Sequence, residues 1–289
     1  MSDETQTDQP HKGLKKGLYL FPTLFTAANI GMGFLAVMAS IRGFHASFID
    51  PNLAAGYFNM AAIGIGLAIL FDTIDGRVAR ATKTATEIGV QFDSLADVLT
   101  FGIAPAALIY AWGFAGVFNE NTSGHNIGVF LLFMYLMCGA FRLARFNVQS
   151  MRPRVLAEGS QKLDKKYFVG LPIPPAGGLL AAIVHFSPLP LSTFGENAAR
   201  SYGYAMMALI AVLGIMMVSR IRYASFKSAG KGRAGIMLII VLAAGATAVF
   251  LYSQYALILL ASLYVGHGIV WFFLRRIPFG QRPAAASDI

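Results

Sequence analysis

The feature that most constrains this chain is a series of long stretches without Asp, Glu, Lys or Arg. They cover residues 17–41, 51–71, 98–119, 121–141, 167–195, 201–219 and 234–274. A helix needs about 20 apolar residues to cross a hydrocarbon core about 30 Å thick. The last stretch is long enough for two helices, with a turn expected near Ser253-Gln254, and prolines in 167–195 indicate a helix start near Pro174. The pattern predicts an all-α, polytopic integral membrane bundle of about eight transmembrane helices.

Composition agrees with a membrane protein and excludes several other classes. Hydrophobic residues make up 56% of the chain and charged residues 13%, against about 25% charged in a typical soluble domain. A water-soluble enzyme is therefore disfavoured. The net charge of +9 in so apolar a chain indicates contact with anionic lipid rather than with nucleic acid. Cys138 is the single cysteine, which excludes an internal disulfide and a cysteine-rich metal site.

The basic residues predict the orientation of the helices. With eight alternating spans, every Lys and Arg except Arg42 and Arg200 falls on one side. Basic connections stay on the cytoplasmic side, so both termini are expected in the cytoplasm. Residues 1–16 are polar and predicted to be a disordered cytoplasmic tail, and 275–289 form a second cytoplasmic tail.

The few acidic residues are concentrated at the facing ends of two spans. Asp72 and Asp75 are three apart at the end of span two, and Asp93 and Asp97 are four apart near the start of span three. Residues at these spacings share a helix face. Because the connection between the spans is short, we expect antiparallel neighbours whose four carboxylates converge.

Such a cluster needs compensating positive charge, and the residues leave three interpretations open. Arg77, Arg80 and Lys83 could neutralise the acids in a purely structural ion network. Divalent metal ions, which prefer oxygen ligands, could do so instead, and two of them would clamp a phosphoryl group. An ion-transport path is the third interpretation. Asn29, in span one, either lines the same site or contacts another helix.

The residues around the acids resemble a known signature. The pattern Asp72-x2-Asp75-Gly76-x2-Ala79-Arg80-x8-Gly89-x3-Asp93-x3-Asp97 is similar to that of the CDP-alcohol phosphatidyltransferases, with every position filled. The resemblance implies an integral membrane enzyme that transfers a phosphatidyl group from CDP-diacylglycerol, or a phosphobase from a CDP-base, to an alcohol and releases CMP. It also implies dependence on Mg²⁺ or Mn²⁺, with two ions expected, and a homodimer.

Further segments resemble the serine-specific branch of that family. They are residues 22–29, 138–147, 170–174 and 218–227. Ala224 stands where proline is commoner, and Gly177-Gly178 where alanines are commoner. The resemblance implies CDP-diacylglycerol and L-serine as substrates and phosphatidylserine and CMP as products. Two alternatives stay open: the same chemistry with glycerol 3-phosphate, inositol phosphate or choline as acceptor, and a cation transporter.

The resemblance also implies roles for individual residues. Asp72, Asp75, Asp93 and Asp97 would bind the metal ions, and Asp97 would also be the general base. The residues implied in binding CDP and its phosphates are Gly76, Ala79, Arg80, Lys83 and Gly89. Physical reasoning adds Arg142 and Arg145, whose guanidinium groups suit the serine carboxylate or a lipid phosphate.

These inferences divide the chain into functional parts. Residues 17–230 are expected to form the catalytic membrane domain, and 231–274 two additional transmembrane helices. The acids lie at the predicted cytoplasmic ends of their spans. We therefore expect a protein of the bacterial-type inner (cytoplasmic) membrane whose active site faces the cytoplasm.

Overall fold

A computed structural model describes residues 12–82, 87–151, 167–219, 221–224 and 247–276, and almost all of these are helical. The first helix, α1, is Lys12–Ser47, and it begins before the predicted span start at 17, in the segment expected to be disordered. The second, α2, is Pro51–Thr82. A tight turn joins them, in which Asp50 Oδ1 accepts a 2.9 Å hydrogen bond from the Asn52 N–H. Aspartate before a first-turn proline is a favourable helix start.

A long central helix follows, made of alternating α- and π-helical segments. They are α3 (Glu87–Asp97), a π-helix at Val98–Ile103, α4 (Ala104–Ile109), a π-helix at Tyr110–Phe114 and α5 (Ala115–Val117). Pro105 has no N–H to give to the carbonyl of Phe101, so the regular ladder is interrupted there. The Tyr135 hydroxyl donates to that carbonyl instead, at 2.8 Å. The Ala104 N–H reaches back to Leu99 O, which is the π-helical pattern.

The rest of the described chain is helical apart from one small ribbon. The helices are α6 (Ser123–Met151), α7 (Ile173–Phe186), a 3₁₀ turn at Leu191–Phe194, α8 (Glu196–Val218), α9 (residues 247–251) and α10 (Ser253–Arg276). The strands β1 (Tyr167–Val169) and β2 (Arg222–Ala224) pair antiparallel, with Phe168 opposite Tyr223. The predicted all-α class is confirmed, and this ribbon is a small addition to it whose strands of three residues are too short to leave a sequence pattern.

Within the part of the chain that the structure describes, five helices are long and apolar enough to cross a membrane: Leu24–Ser47, Pro51–Arg77, Ile88–Val117, Ser123–Val148 and Glu196–Val218. The start of α7 agrees with the prediction, but the helix has only 14 residues, fewer than the roughly 20 needed to span a bilayer. Pro188 and Pro190 lie just beyond its end and stop it early. Helix α10 begins at Ser253, close to the turn predicted near Ser253-Gln254.

The helices pack around the central helix, which is the most enclosed of the five. α1 packs along α2, α6 against α8, and α7 against both α2 and α10. At Gly177 of α7 a Cβ would lie 2.9 Å from Phe101 O, so a glycine here lets α7 approach the interrupted part of the central helix. Large apolar side chains such as Phe34, Phe130 and Ile215 point outwards and are exposed. An apolar exterior is what a bilayer requires.

Candidate active site

The described residues contain one group of acids spaced to hold a metal ion. Asp72 and Asp75 of α2 and Asp93 of α3 each offer a carboxylate oxygen, and these three oxygens lie within 4.8 Å of one another. The predicted convergence of the two acidic pairs is therefore observed for three of its four members. The helical spacing of three residues puts both α2 acids on one helix face, towards Asp93.

A third helix, α1, also contacts the acid cluster. On α1, the hydroxyl of Thr26 donates a 3.1 Å hydrogen bond to Asp75 Oδ2, and both side chains are buried. This bond fixes the rotamer of Asp75, because a buried carboxylate held by a donor cannot turn freely. The bond also ties α1 to α2 at the level of the acid cluster.

Asp97 lies one helical turn beyond Asp93 and outside the group of three. Its side chain is only 8% exposed, and its Oδ1 accepts no hydrogen bond from any residue that the structure describes. The carboxylates of Asp72, Asp75 and Asp93 and the guanidinium of Arg142 are all close enough to act on it electrostatically. Asp97 is thus a buried acid beside the group of three, with an oxygen available to a ligand.

Helix α6 brings the two predicted arginines to the same region. Arg142 is buried and faces Asp97, and its Nε has no hydrogen-bond partner among the described residues. Arg145, one turn later, donates from Nη1 to Val218 O at 3.4 Å. Of the two, Arg142 is therefore the one placed towards the acids, whereas Arg145 also contacts the end of α8.

Gly170, at the start of the connection into α7, lies against the end of α8 and beside Arg145. It has φ of +82°, a conformation that glycine adopts without penalty. A Cβ at this position would collide with Met217 O and lie 3.3 Å from Arg145 Nη2. The Gly170 N–H also donates to Ile221 O at 2.8 Å, which joins the start of the α7 segment to the chain beyond α8.

The residues implied in nucleotide binding are only partly described. Gly76 is half-buried beside the α2 acids, and Gly89 is exposed at the start of α3. Ala79 and Arg80 continue α2 by one turn, which puts them on the side of the cluster away from the apolar part of the helix. Lys83 lies outside the described residues.

The donor set fits a hard divalent cation. All three convergent groups are carboxylates, and oxygen ligands of this kind suit Mg²⁺ or Mn²⁺. Three ionised carboxylates this close repel one another unless a cation lies between them. A metal site is therefore the interpretation that matches the geometry of Asp72, Asp75 and Asp93.

Sequence reasoning gave no role to two residues that position this site. Thr26 holds Asp75, and Asn147 of α6 donates to Ser94 Oγ at 2.8 Å and to Gln91 Oε1 at 3.3 Å on α3. Asn147 therefore fixes the end of α6, and with it the arginines, against the helix that carries Asp93 and Asp97. Thr26 and Asn147 lie in segments 22–29 and 138–147, which resemble the serine-specific branch of the family. That resemblance is the sequence signal that could have pointed to them.

Apolar helices long enough to span a membrane, gathered around a cluster of carboxylates, are typical of a polytopic membrane protein with a polar site. Comparison with known proteins narrows the class. The chain belongs to the CDP-alcohol phosphatidyltransferase family, whose profile matches residues 19–265.

Several relatives share a name that includes serine. The chain is 33% identical to a CDP-diacylglycerol–serine O-phosphatidyltransferase of Helicobacter pylori over 93% of its own length and 98% of the relative's. It is 29% identical to the protein of the same name from Saccharomyces cerevisiae, over 74% and 73% of the two chains. It is 32% identical to an archaetidylserine synthase of Methanothermobacter thermautotrophicus, over 70% and 68%.

Proposed function

We propose that this protein transfers the phosphatidyl group of CDP-diacylglycerol to the hydroxyl of L-serine, forming phosphatidylserine and CMP. The observation that carries the proposal is the convergence of Asp72, Asp75 and Asp93, three acids of the family signature, within 4.8 Å. The serine acceptor is supported by relatives named for it that match nearly the whole chain.

Asp72, Asp75, Asp93 and Asp97 would hold Mg²⁺ or Mn²⁺, with two ions expected. When bound, the ions would neutralise charge on the diphosphate of the lipid nucleotide and on departing CMP. The protein's own contribution is to hold these carboxylates in place, which Thr26 does for Asp75.

Asp97 is proposed as the general base. Its Oδ1 is buried and has no described partner, so it is open to a hydroxyl. As the serine oxygen forms its bond to the phosphorus that carries diacylglycerol, Asp97 accepts the hydroxyl proton. The bond from that phosphorus to the bridging oxygen breaks, and CMP leaves with the electron pair.

The two substrates are proposed to reach the acids from opposite sides. Gly76, Ala79 and Gly89 are small and would admit the nucleotide close to the backbone, and Arg80 and Lys83 would contact its phosphates. Arg142 and Arg145, on α6, would bind the serine carboxylate or a lipid phosphate. Burial of Arg142 beside Asp97 supports the first of these roles for Arg142.

We further propose the arrangement of the chain in the membrane. Eight spans with cytoplasmic termini in a bacterial-type inner membrane would open the site to the cytoplasm, where CMP is released. Residues 17–230 would form the catalytic domain, 231–274 two added spans, and 1–16 and 275–289 the tails. A homodimer and contacts of the basic residues with anionic lipid complete the proposal.

The decisive experiment supplies the purified protein with CDP-diacylglycerol, Mn²⁺ and one alcohol at a time. We expect CMP release with L-serine to exceed that with glycerol 3-phosphate, inositol phosphate or choline by at least about 100-fold. Preference for another alcohol would overturn the acceptor assignment. Manganese flux into liposomes without CMP release would favour a cation transporter.

A further inference from the structure

Asn29 of α1 is a fully buried polar side chain. Its side chain is 0% exposed, and neither Oδ1 nor Nδ2 has a hydrogen-bond partner among the described residues. Buried amide groups are nearly always hydrogen-bonded, so an exception in a folded protein needs an explanation. One explanation is a ligand that arrives with its own donors and acceptors.

The neighbours of Asn29 place it beside the acid site. Three residues earlier on the same helix face, Thr26 bonds Asp75. The Asn29 carbonyl accepts a 3.2 Å hydrogen bond from Thr100 Oγ1, and Thr100 lies one turn beyond Asp97 on the central helix. Asn29 therefore lies at the boundary of α1 and the central helix, between the levels of Asp75 and Thr100.

Close helix contact holds Asn29 at this level. A Cβ at Gly33 would lie 2.5 Å from Thr100 Oγ1, so only a glycine lets α1 approach the central helix this closely. Gly33 is one turn from Asn29, on the same face. The backbone around Asn29 is thus fixed, while its amide group is left for something else to bind.

Two side chains assigned above to the acceptor side of the site also have a buried polar atom without a partner among the described residues. They are Asp97, through Oδ1, and Arg142, through Nε. Together the three side chains offer an anionic acceptor, a cationic donor and an amide that both donates and accepts. A zwitterionic amino acid with a hydroxyl group carries the complementary set.

We infer that Asn29 is a specificity-determining residue of the acceptor pocket and binds the α-ammonium group of L-serine through Oδ1. Arg142 binds the α-carboxylate, and Asp97 receives the hydroxyl proton. This inference rests on the proposed function, since it assigns the acceptor side of the same site. Alcohols without an ammonium group leave Asn29 Oδ1 unmatched, which makes them poorer acceptors.

The test compares Asn29→Leu with the wild type in detergent–lipid micelles. Leucine has a similar volume and needs no hydrogen bond. We expect the KM for L-serine to rise about 10- to 100-fold, the loss of one hydrogen bond to a charged group, while the KM for CDP-diacylglycerol changes less than about twofold. The stabilisation of the protein by L-serine, measured as a shift in Tm, should disappear.

Stability separates this role from a structural one. If the role of Asn29 is to bind a ligand, replacing its unpaired amide should leave the Tm of the ligand-free protein unchanged or raise it. If Asn29 instead stabilises the packing of two helices, the Tm of Asn29→Leu should fall. The control is Ser40→Ala, on the same helix, because Ser40 is equally buried but donates to Ala36 O at 2.8 Å. Its KM for L-serine should stay at the wild-type value.

The inference is overturned if Asn29→Leu keeps the wild-type KM for L-serine, or if KM for both substrates rises together. Asn29→Asp is a second variant that tests the inference even if leucine is not tolerated at this position. It keeps an acceptor oxygen, so it should retain more affinity for L-serine than Asn29→Leu. The opposite order would also overturn the inference. If the wild type transfers nothing to L-serine but uses another alcohol, the proposed function itself has failed.

Discussion

Two buried polar clusters lie at opposite ends of this helical bundle, and they differ in how completely their atoms are paired. At the end away from the acids, His185 of α7 contacts Asn59 Oδ1 through Nδ1 at 2.6 Å and Ser253 Oγ through Nε2 at 2.9 Å. The amide oxygen can only accept, so Nδ1 carries the proton and the serine hydroxyl donates to Nε2. Asn59 lies about 24 Å of helical rise from Asp75 along α2.

The contrast indicates what each cluster is for. Both nitrogens of His185 are matched by side chains of this chain, and the network joins α2, α7 and α10. At the acid end, Asn29, Asp97 and Arg142 each keep at least one atom without a described partner. A cluster whose polar atoms are all hydrogen-bonded to one another stabilises the fold. A cluster with buried polar atoms that lack partners is suited to binding a ligand.

The largest effect should come from the acid end. Asp93→Asn keeps the shape of the side chain but removes one of the three convergent charges. We expect CMP release to fall by at least about 1,000-fold, because the carboxylates can no longer hold the cations that the diphosphate needs. The assay is release of CMP from CDP-diacylglycerol in the presence of L-serine.

The matched control for that variant is Asp50→Asn. Asp50 is exposed at the α1–α2 turn and bonds the Asn52 N–H, a role that asparagine fills equally well. This variant should keep wild-type activity. Activity in Asp93→Asn within about tenfold of the wild type would contradict the importance of the cluster.

The next effect distinguishes the two arginines. Arg142 is buried beside Asp97 with an unmatched Nε, whereas Arg145 donates to Val218 O. We expect kcat/KM for L-serine to fall about 100-fold in Arg142→Gln and about 10-fold in Arg145→Gln, since only the first loses a direct charged hydrogen bond to the acceptor. Steady-state kinetics with L-serine varied decide it, and the reverse order would refute the assignment.

At the opposite end, a substitution should affect stability and leave the chemistry intact. His185→Leu leaves Asn59 and Ser253 without their shared partner, at a cost of about 2–5 kcal/mol in the free energy of unfolding. The KM values of the surviving folded protein should match the wild type. His45→Leu, at an exposed position of α1, is the control for replacing a histidine by leucine. Selective loss of L-serine affinity in His185→Leu would remove the distinction between the two ends.

The sequence predicted the acid end better than the rest of the fold. Helical spacing placed Asp72 and Asp75 on one face of α2, and the short connection to the next span predicted that Asp93 would lie beside them. Asn147 and Thr26 could not be assigned in the same way, since their partners lie 53 and 49 residues away, respectively, and depend on how helices pack. The ribbon of β1 and β2 likewise depends on tertiary contacts.

The smallest expected effect tests whether a matched bond in the bundle interior is purely structural. Tyr135 donates to Phe101 O, the carbonyl that Pro105 cannot use. Tyr135→Phe leaves that carbonyl buried and unmatched, so the free energy of unfolding should fall by about 1–3 kcal/mol, measured by thermal unfolding in micelles. Tyr202→Phe, at an exposed position of α8, should have no effect. Because the Phe101 carbonyl belongs to the helix that carries Asp97, a change in the KM for L-serine in Tyr135→Phe would show that the π-helical segment also positions the acid, and that the two kinds of cluster are coupled.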